Sequence, residues 1–336
     1  MERYEKLKVV GRGAFGTAYL CRRREEAHAA NVIVKNIPLD GLDEEERRRV
    51  QGEVEVLSQV NHPNIIGYFE HFVHDGALCI VMRYAEGGTL YSFLQERRGV
   101  HLSEEQAMHF FCQILLALHY LHRKSILHRD LSTHNILLNS KRNVCKLSDF
   151  GISRRLHSRS VATTHVGTPH YLSPERCNGA AYSHKSDVWS LGCVLYELVT
   201  LKRAFGGGDN QFNAIGAVVM QITRGQYEAI PEDRVGAEVR RLCYWMLEAS
   251  ECRRPSTAAV LADVAVLKRT LLLVTDLGVV VDDQRRDPAV HTVASSRATQ
   301  TPTLAQKLRT TPESRPRYER TSFGRRDVGA ATADDF

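Results

Sequence analysis

The first chemical signal in this sequence is a pair of carboxylates with an amide between them. Asp130 and Asn135 lie in "HRDLSTHN", and Asp149 follows in "SDFG". Asp130 can accept the proton of an attacking hydroxyl. Asn135 can offer its amide oxygen to Mg²⁺. Asp149 can offer a carboxylate that bridges the metal to the β- and γ-phosphates of a nucleotide. Phosphoryl transfer needs little covalent help; it needs in-line positioning and cancellation of charge, which such a set supplies. Upstream, "GRGAFGTA" places Gly11, Gly13 and Gly16 in a G-x-G-x-x-G pattern. That string alone is ambiguous, because dinucleotide-binding folds use it at the start of a helix. Here "TAYLCRR" after the third glycine reads as a strand, so the loop is expected to be a β-hairpin lying over phosphates. Lys35 ends the strand-like "VIVK", and Glu53 sits on the next helical stretch. A lysine at a strand end commonly just reaches solvent. An acid that holds its stem still would let it bridge two phosphates.

Such residues need a scaffold, and the sequence changes character part-way along to provide it. "YEKLKVVG", "TAYLCRRR" and "ANVIVKNIP" read as strands, the third rich in β-branched residues and closed by Pro38. "DEEERRRVQGEVEVLSQV" reads as a helix. Asp43 is its N-cap, acids fill the first turn, and Val50, Val54 and Leu57 make one apolar stripe. "GYFEHFVHDGALCIVMRY" reads as two strands joined at Asp75-Gly76, a hairpin turn pair. From Thr89 onward helices take over. "SEEQAMHFFCQILLALHYLHRKS" opens with a Ser103…Gln106 capping box and is apolar on most sides, as a buried helix is. "KSDVWSLGCVLYELVTLKR" is a second buried helix, while "EVRRLCYWMLEA" and "TAAVLADVAVLKR" are more amphipathic. The two parts meet at Tyr84–Gly88, whose glycines suggest a hinge. Beyond Lys268, "TLLLVTDLGVVVDD" is apolar but of uncertain type, and residues 283–336 have the composition of a disordered tail.

The order of glycine loop, VxxK, helix Glu, HRDLxxxN, DFG, SPE and DxWxxG resembles a eukaryotic protein kinase over residues 4–267. "VVGRGAFG", "VNHPNII", "HFFCQILLALH", "GTPHYLSPE" and "KSDVWSLGCVLYEL" are similar to the never-in-mitosis-A (NimA) related serine/threonine kinases. The resemblance implies an α+β, bilobal kinase fold: a small β-rich N-lobe over 4–84, a larger helical C-lobe over 89–267, and a mostly disordered tail over 268–336. It implies ATP and Mg²⁺ as cofactors, with Asn135 and Asp149 as metal ligands. Asp130 would be the base and Thr168 would bond it. Lys35, paired to Glu53, would orient the phosphates. Adenine would sit among Ala18, Ile33, Met82 and Leu137, against hinge backbone at Tyr84 and Ala85. Leu57, Tyr68, His128 and Phe150 would stack as a spine. Arg129 would pair with a phosphate on the activation segment, residues 149–175, where Thr164 matches the modified position. Glu175 would pair with Arg254, and Asp187 would brace the catalytic-loop backbone.

Some positions depart from the family pattern. Ala18 stands where valine is usual, and Ile33 where many kinases have alanine, though relatives in this family also carry a larger residue there. One change loses volume and the other adds it, so the pocket is expected to be reshaped but usable. Arg83 replaces a common hinge glutamate, at a place that works through backbone. Ser132 stands where serine/threonine kinases carry a lysine that touches the γ-phosphate. Losing one preorganised charge-stabilising contact costs about 3 kcal/mol, roughly a hundredfold in rate. His134, where receptor-type tyrosine kinases put a cation, is a candidate substitute, since nearby phosphates would raise its pKa. The alternative is an ordinary loop histidine, mostly neutral at pH 7. "GTPHY", with Thr168, keeps the expected substrate class at serine/threonine. Two readings stay open: a working but slowed kinase, or an ATP-binding scaffold that transfers nothing.

The bulk properties narrow the rest. The chain has 336 residues, 43% hydrophobic and 25% charged, with net charge +6, which is ordinary for a globular protein. No Lys/Arg block marks a nucleic-acid face. No apolar run approaches the roughly 20 residues of a membrane span. None of the eight cysteines forms a C-x-x-C pair or a zinc-like spacing, which fits a reducing compartment. "MERYEKLKVV" lacks an apolar signal core. The expected location is cytoplasmic, and the family resemblance implies association with cytoskeleton, centrosome or basal body, or cilium. The expected partners are protein substrates, together with regulatory or localising proteins held through the tail. Thr301-Pro302 and Thr311-Pro312 there are sites for a proline-directed kinase.

Overall fold

In a computed structural model of the chain, the described residues are 2–13, 16–24, 30–41, 43–149, 169–206 and 215–273, without the side chains of Arg49, Gln51 and Glu53. Five antiparallel strands make the first sheet: β1 (Tyr4–Gly13), β2 (Gly16–Arg23), β3 (Val32–Pro38), β4 (Tyr68–His74) and β5 (Ala77–Arg83), in the order β1-β2-β3-β5-β4. The turn at Asp75-Gly76 has φ of 50° and 69°, the paired left-handed geometry that matches strand twist in a two-residue hairpin.

Alternation sorts these side chains onto two faces. Ala18 pairs across the ladder with Lys35, and Leu20 and Met82 both pair with Ile33. Residues on the opposite face, Tyr4, Cys21, Val32, Val34, Cys79 and Val81, form a small core of their own. The helix α1 (Glu44–Ser58) begins at a capping box between Asp43 and Glu46. Its stripe of Val50, Val54 and Leu57 is buried with Ile37, Leu78 and Ile80 in the main core. That packing fixes the strand that bears Lys35.

The helical lobe contains α2 (Leu90–Glu96), α3 (Glu104–Arg123), α4 (Pro174–Cys177), α5 (His184–Thr200), α6 (Ile215–Arg224), α7 (Ala237–Met246), α8 (Thr257–Leu261) and α9 (264–273), with a two-stranded sheet of β6 (Ile136–Leu138) and β7 (Cys145–Leu147). The capping box of Ser103 and Gln106 starts α3. The α5 helix is buried from Ser186 to Thr200, and Trp189 stacks on Phe205 with ring centroids 5.3 Å apart. Two acids, Asp187 and Glu197, are buried in this otherwise apolar helix.

The single helix expected over "TAAVLADVAVLKR" is two. The chain breaks at Ala262-Asp263, where Asp263 Oδ1 accepts from Ala265 N at 3.0 Å and so caps α9. The boundary drawn at residue 267 falls inside α9, which buries Thr270 and Leu273 beyond it. Among the described residues no helix is long and apolar enough to cross a membrane. All eight cysteines are free.

Candidate active site

The catalytic loop is built against α5. Asp187 accepts hydrogen bonds from the backbone N–H groups of His128 (2.9 Å) and Arg129 (3.0 Å), from the Tyr182 hydroxyl (2.6 Å) and from His122 Nε2 (2.8 Å). Burial alone would raise the pKa of Asp187. The bond and charge of His122, with the smaller effects of His128 and Tyr182, outweigh burial and hold it below the ordinary carboxylate value. This clamp holds Arg129 at φ 67°, a left-handed conformation that costs a non-glycine residue on the order of 1–3 kcal/mol.

A second tie acts one turn later. Residues 133–135 form a 3-10 turn, and the Thr133 hydroxyl meets the Tyr171 hydroxyl at 2.9 Å and donates to Glu197 Oε2 at 3.2 Å. The Tyr171 hydroxyl also donates to Glu197. Burial pushes the Glu197 carboxyl up in pKa, against the pull of these hydroxyls and of the Arg203 charge. Between the two ties, Asn135 Nδ2 donates to the Asp130 carbonyl (2.7 Å) and to Asp130 Oδ2 (2.8 Å). The acid is thus oriented by the amide five residues on.

Asp149 is brought in from β7. Ser148 donates through both its backbone N–H (2.9 Å) and its hydroxyl (3.0 Å) to the Asn135 carbonyl. Asp149 then adopts φ 57°, and its Oδ1 lies 2.5 Å from Lys35 Nζ. One chain of contacts therefore runs from Lys35 through Asp149, Ser148 and Asn135 to Asp130. The donor set fits Mg²⁺. Both Asn135 contacts to Asp130 use its NH₂ group, which leaves the amide oxygen as a hard ligand beside the Asp149 carboxylate. Mg²⁺ takes one or two such protein oxygens together with phosphates and waters.

The two lobes meet tightly beside this chain. Gly87 N donates to the Leu138 carbonyl and Leu138 N to the Gly88 carbonyl, each at 2.9 Å, and Thr89 bridges to Leu137. A Cβ on Gly87 would lie 2.1 Å from the Asn139 carbonyl oxygen, so this approach requires glycine. Tyr84 and Ala85, just before this junction, are half-buried. Ala18, Ile33 and Met82 follow on one face of the sheet with Lys35. Gly13 pairs with Gly16 to close the hairpin, while Gly11 and Gly13 are exposed.

Ser132 is half-buried, and its side chain makes no capping bond to the turn it precedes. It lines a cavity of about 150 Å³ with Asp130, His134, Asn135, Tyr171 and Tyr182. His134 stacks on Tyr91, ring centroids 4.0 Å apart and planes 19° from parallel. Burial lowers the His134 pKa, the Arg203 charge lowers it further, and Asp130 opposes both more weakly. These surroundings run against the expectation of a histidine raised toward its charged form. The main reason is desolvation, and the Arg203 charge across the Tyr91 ring adds to it.

Glu175 meets Arg254 through two bonds, of 2.8 and 3.0 Å, and Ser186 adds a third at 2.7 Å. Burial would raise the Glu175 pKa, but these partners bring it down to about 2. Leu57 and Tyr68 join the main core and His128 is buried. The Glu53 side chain, Phe150, Thr164, Thr168, Thr301 and Thr311 lie outside the described residues. Sequence reasoning missed Thr133, Tyr171, Glu197, Tyr91 and Arg203. Only Glu197 carried a signal, as an acid within an apolar helix, where a buried carboxylate needs partners.

The protein kinase domain family matches residues 4–265. Serine/threonine-protein kinase Nek8 of Danio rerio is 48% identical over 278 residues, which is 83% of this chain and 39% of that protein. Serine/threonine-protein kinase nekl-2 of Caenorhabditis elegans is 45% identical over 285 residues, 83% of this chain and 78% of that protein. Serine/threonine-protein kinase Nek5 of Homo sapiens is 39% identical over 262 residues, 78% and 36% respectively. The chain thus spans well under half the length of the Nek8 and Nek5 relatives. The fold, the ordered catalytic strings and these identities agree, and the chain belongs to the NimA-related branch of the protein kinase family.

Proposed function

We propose that this chain transfers the γ-phosphoryl group of Mg-ATP to serine or threonine hydroxyls of proteins, at a rate reduced by Ser132. The observation that supports it best is the connected chain of Lys35, Asp149, Asn135 and Asp130, drawn from three separate segments. Asp130 takes the proton of the acceptor hydroxyl as that oxygen bonds to the γ-phosphorus. The bond from that phosphorus to the β-γ bridging oxygen breaks, and ADP leaves. Bound Mg²⁺ cancels charge on the β- and γ-phosphates, and Asn135 and Asp149 would hold it. Lys35, with Glu53 as its expected partner, orients the phosphates under the hairpin of Gly11, Gly13 and Gly16. Adenine lies among Ala18, Ile33, Met82 and Leu137 and bonds hinge backbone at Tyr84 and Ala85.

Ser132 favours a second reading, an ATP-binding scaffold without transfer, because the site lacks the lysine that would cancel γ-phosphate charge. A comparison of Ser132→Lys with the unaltered protein separates the two. Purified protein with Mg-ATP and a generic serine/threonine substrate should show slow transfer. The introduced lysine should raise kcat by about ten- to a hundredfold. If both proteins bind ATP and neither transfers phosphate, the scaffold reading holds.

A further inference from the structure

Arg203 follows α5 by three residues, is half-buried, and makes no ion pair among the described residues. A partly desolvated guanidinium is normally paired. Its one described contact is aromatic: the guanidinium carbon stands 5.8 Å from the centroid of the Tyr91 ring. Tyr91 in turn stacks on His134 at 4.0 Å, and His134 lines the same cavity as Asp130 and Ser132. A continuous strip therefore leads from the catalytic acid, over two stacked rings, to one fixed cation. Its charge acts on the buried Glu197, but that acid already accepts from Tyr171 and Thr133.

Distance decides what the cation can serve. The guanidinium meets His134 only across the Tyr91 ring and does not line the cavity of Asp130 and Ser132, which sets it apart from a phosphoryl group in transit at Asp130. It suits a side chain of a bound peptide, because an extended chain advances about 3.3 Å per residue, so about two or three residues cover the gap. A guanidinium oriented over an aromatic face presents its fork of donors to carboxylate or phosphate.

Resting on the kinase reading above, we infer that Arg203, with Tyr91 and His134 beneath it, forms a subsite for an acidic or phosphorylated side chain of the substrate, about two or three residues from the accepting hydroxyl. The subsite selects substrates and leaves the chemistry at Asp130 to other groups.

The test uses the full chain, Mg-ATP and a set of peptides that share one serine acceptor. Each peptide carries Asp, phosphoserine, Ala or Arg at one neighbouring position. At one position, kcat/KM should favour Asp over Ala about tenfold, as a charge-assisted contact does. Phosphoserine should exceed Asp because it carries more charge and more acceptor oxygens. Arg203→Ala should bring the Asp-to-Ala ratio to about one, and Arg203→Glu should turn the preference toward the Arg peptide. General damage to the fold would lower all peptides together and cannot invert a ratio. Equal use of Asp, Ala and Arg peptides by the unaltered protein overturns the subsite, as does an acidic preference that survives Arg203→Glu. If no peptide accepts phosphate, the kinase reading is what fails. Fluorescence anisotropy with labelled Asp and Ala peptides then reads the subsite directly: tighter binding of the Asp peptide, lost in Arg203→Glu, upholds it, and equal binding overturns it.

Discussion

The catalytic loop is tied to α5 by buried side chains, whereas the glycine hairpin of β1 and β2 is tied to its neighbours almost entirely by backbone. Asp187 takes two loop N–H groups from below, and Thr133 reaches Glu197 a turn later. In β1 only Tyr4 is buried, and the remaining nine residues are exposed. The difference follows from what each region must hold. A base works from a fixed place, and small misplacement is costly, so its loop is over-determined by hydrogen bonds. A cover over phosphates must admit and release nucleotide, so it needs a shape that backbone alone can supply. The three predictions below break one support at a time, from the most to the least costly.

The largest effect should come from Asp187→Ala. It removes the acceptor of the His128 and Arg129 N–H groups and one partner each of Tyr182 and His122. The expected loss of stability is about 3 kcal/mol or more, read from urea unfolding. Transfer should fall on the order of a hundredfold, because Arg129 loses the backbone bond to Asp187 that helps hold its left-handed conformation. Asp187→Asn keeps one acceptor oxygen and should lose less of both. An alanine variant with an unchanged urea midpoint would show that the loop is held by something other than α5.

The hairpin should respond very unevenly to one methyl group. Gly16 has φ 129°, and a Cβ there would lie 1.9 Å from the Asn36 carbonyl oxygen, on the backbone of β3. Gly16→Ala should therefore cost about 1–3 kcal/mol, since neither partner can step aside cheaply. Among the described residues, a Cβ on Gly13 meets nothing within 4 Å. Gly13→Ala should stay within about 0.5 kcal/mol of the parent in stability. Its effect should fall on KM for ATP more than on kcat, because the added methyl meets the bound phosphates rather than the protein. Equal destabilisation by the two changes would mean that the hairpin is clamped along its length, like the loop.

What could be read from the sequence divides along the same line. The catalytic strings were legible because their chemistry is local: Asp130 and Asn135 are five apart and bond directly. The hairpin turn at Asp75-Gly76 and the caps at Asp43 and Ser103 were legible for the same reason, as each is settled within four residues. The second tie was not. Thr133, Tyr171 and Glu197 are far apart in the chain and meet only because α5 passes beneath the loop. Arg203 was invisible likewise, since a basic residue after a helix usually means solvent. The break in the helix at Asp263 is different, because its signal was present. An aspartate immediately before a second apolar run is an N-cap, and amphipathic periodicity running across it hid the interruption.

The smallest effect should come from His134→Ala, and its pH dependence decides whether the missing lysine has a substitute. A histidine serves as a cation below its pKa and loses that role as pH rises through it. The ordinary value is 6.5, and burial together with Arg203 lowers it here. Lowered in this way, His134 is mostly neutral above about pH 6.5 and gains charge as the solution becomes more acidic. The rate ratio of the variant to the parent should therefore be flat above that pH. The loss itself should be no more than a few-fold, from the stacking surrendered on Tyr91. A ratio that worsens steadily as pH falls from about 7 to 6 would mean that phosphates overcome burial and Arg203, and that His134 does act as the cation. In that case Ser132→Lys should make the histidine dispensable, and the double variant should lose less than His134→Ala does alone. If the ratio is flat and Ser132→Lys speeds both backgrounds equally, the loop works one positive charge short, and the nearby Arg203 charge serves something other than the γ-phosphate.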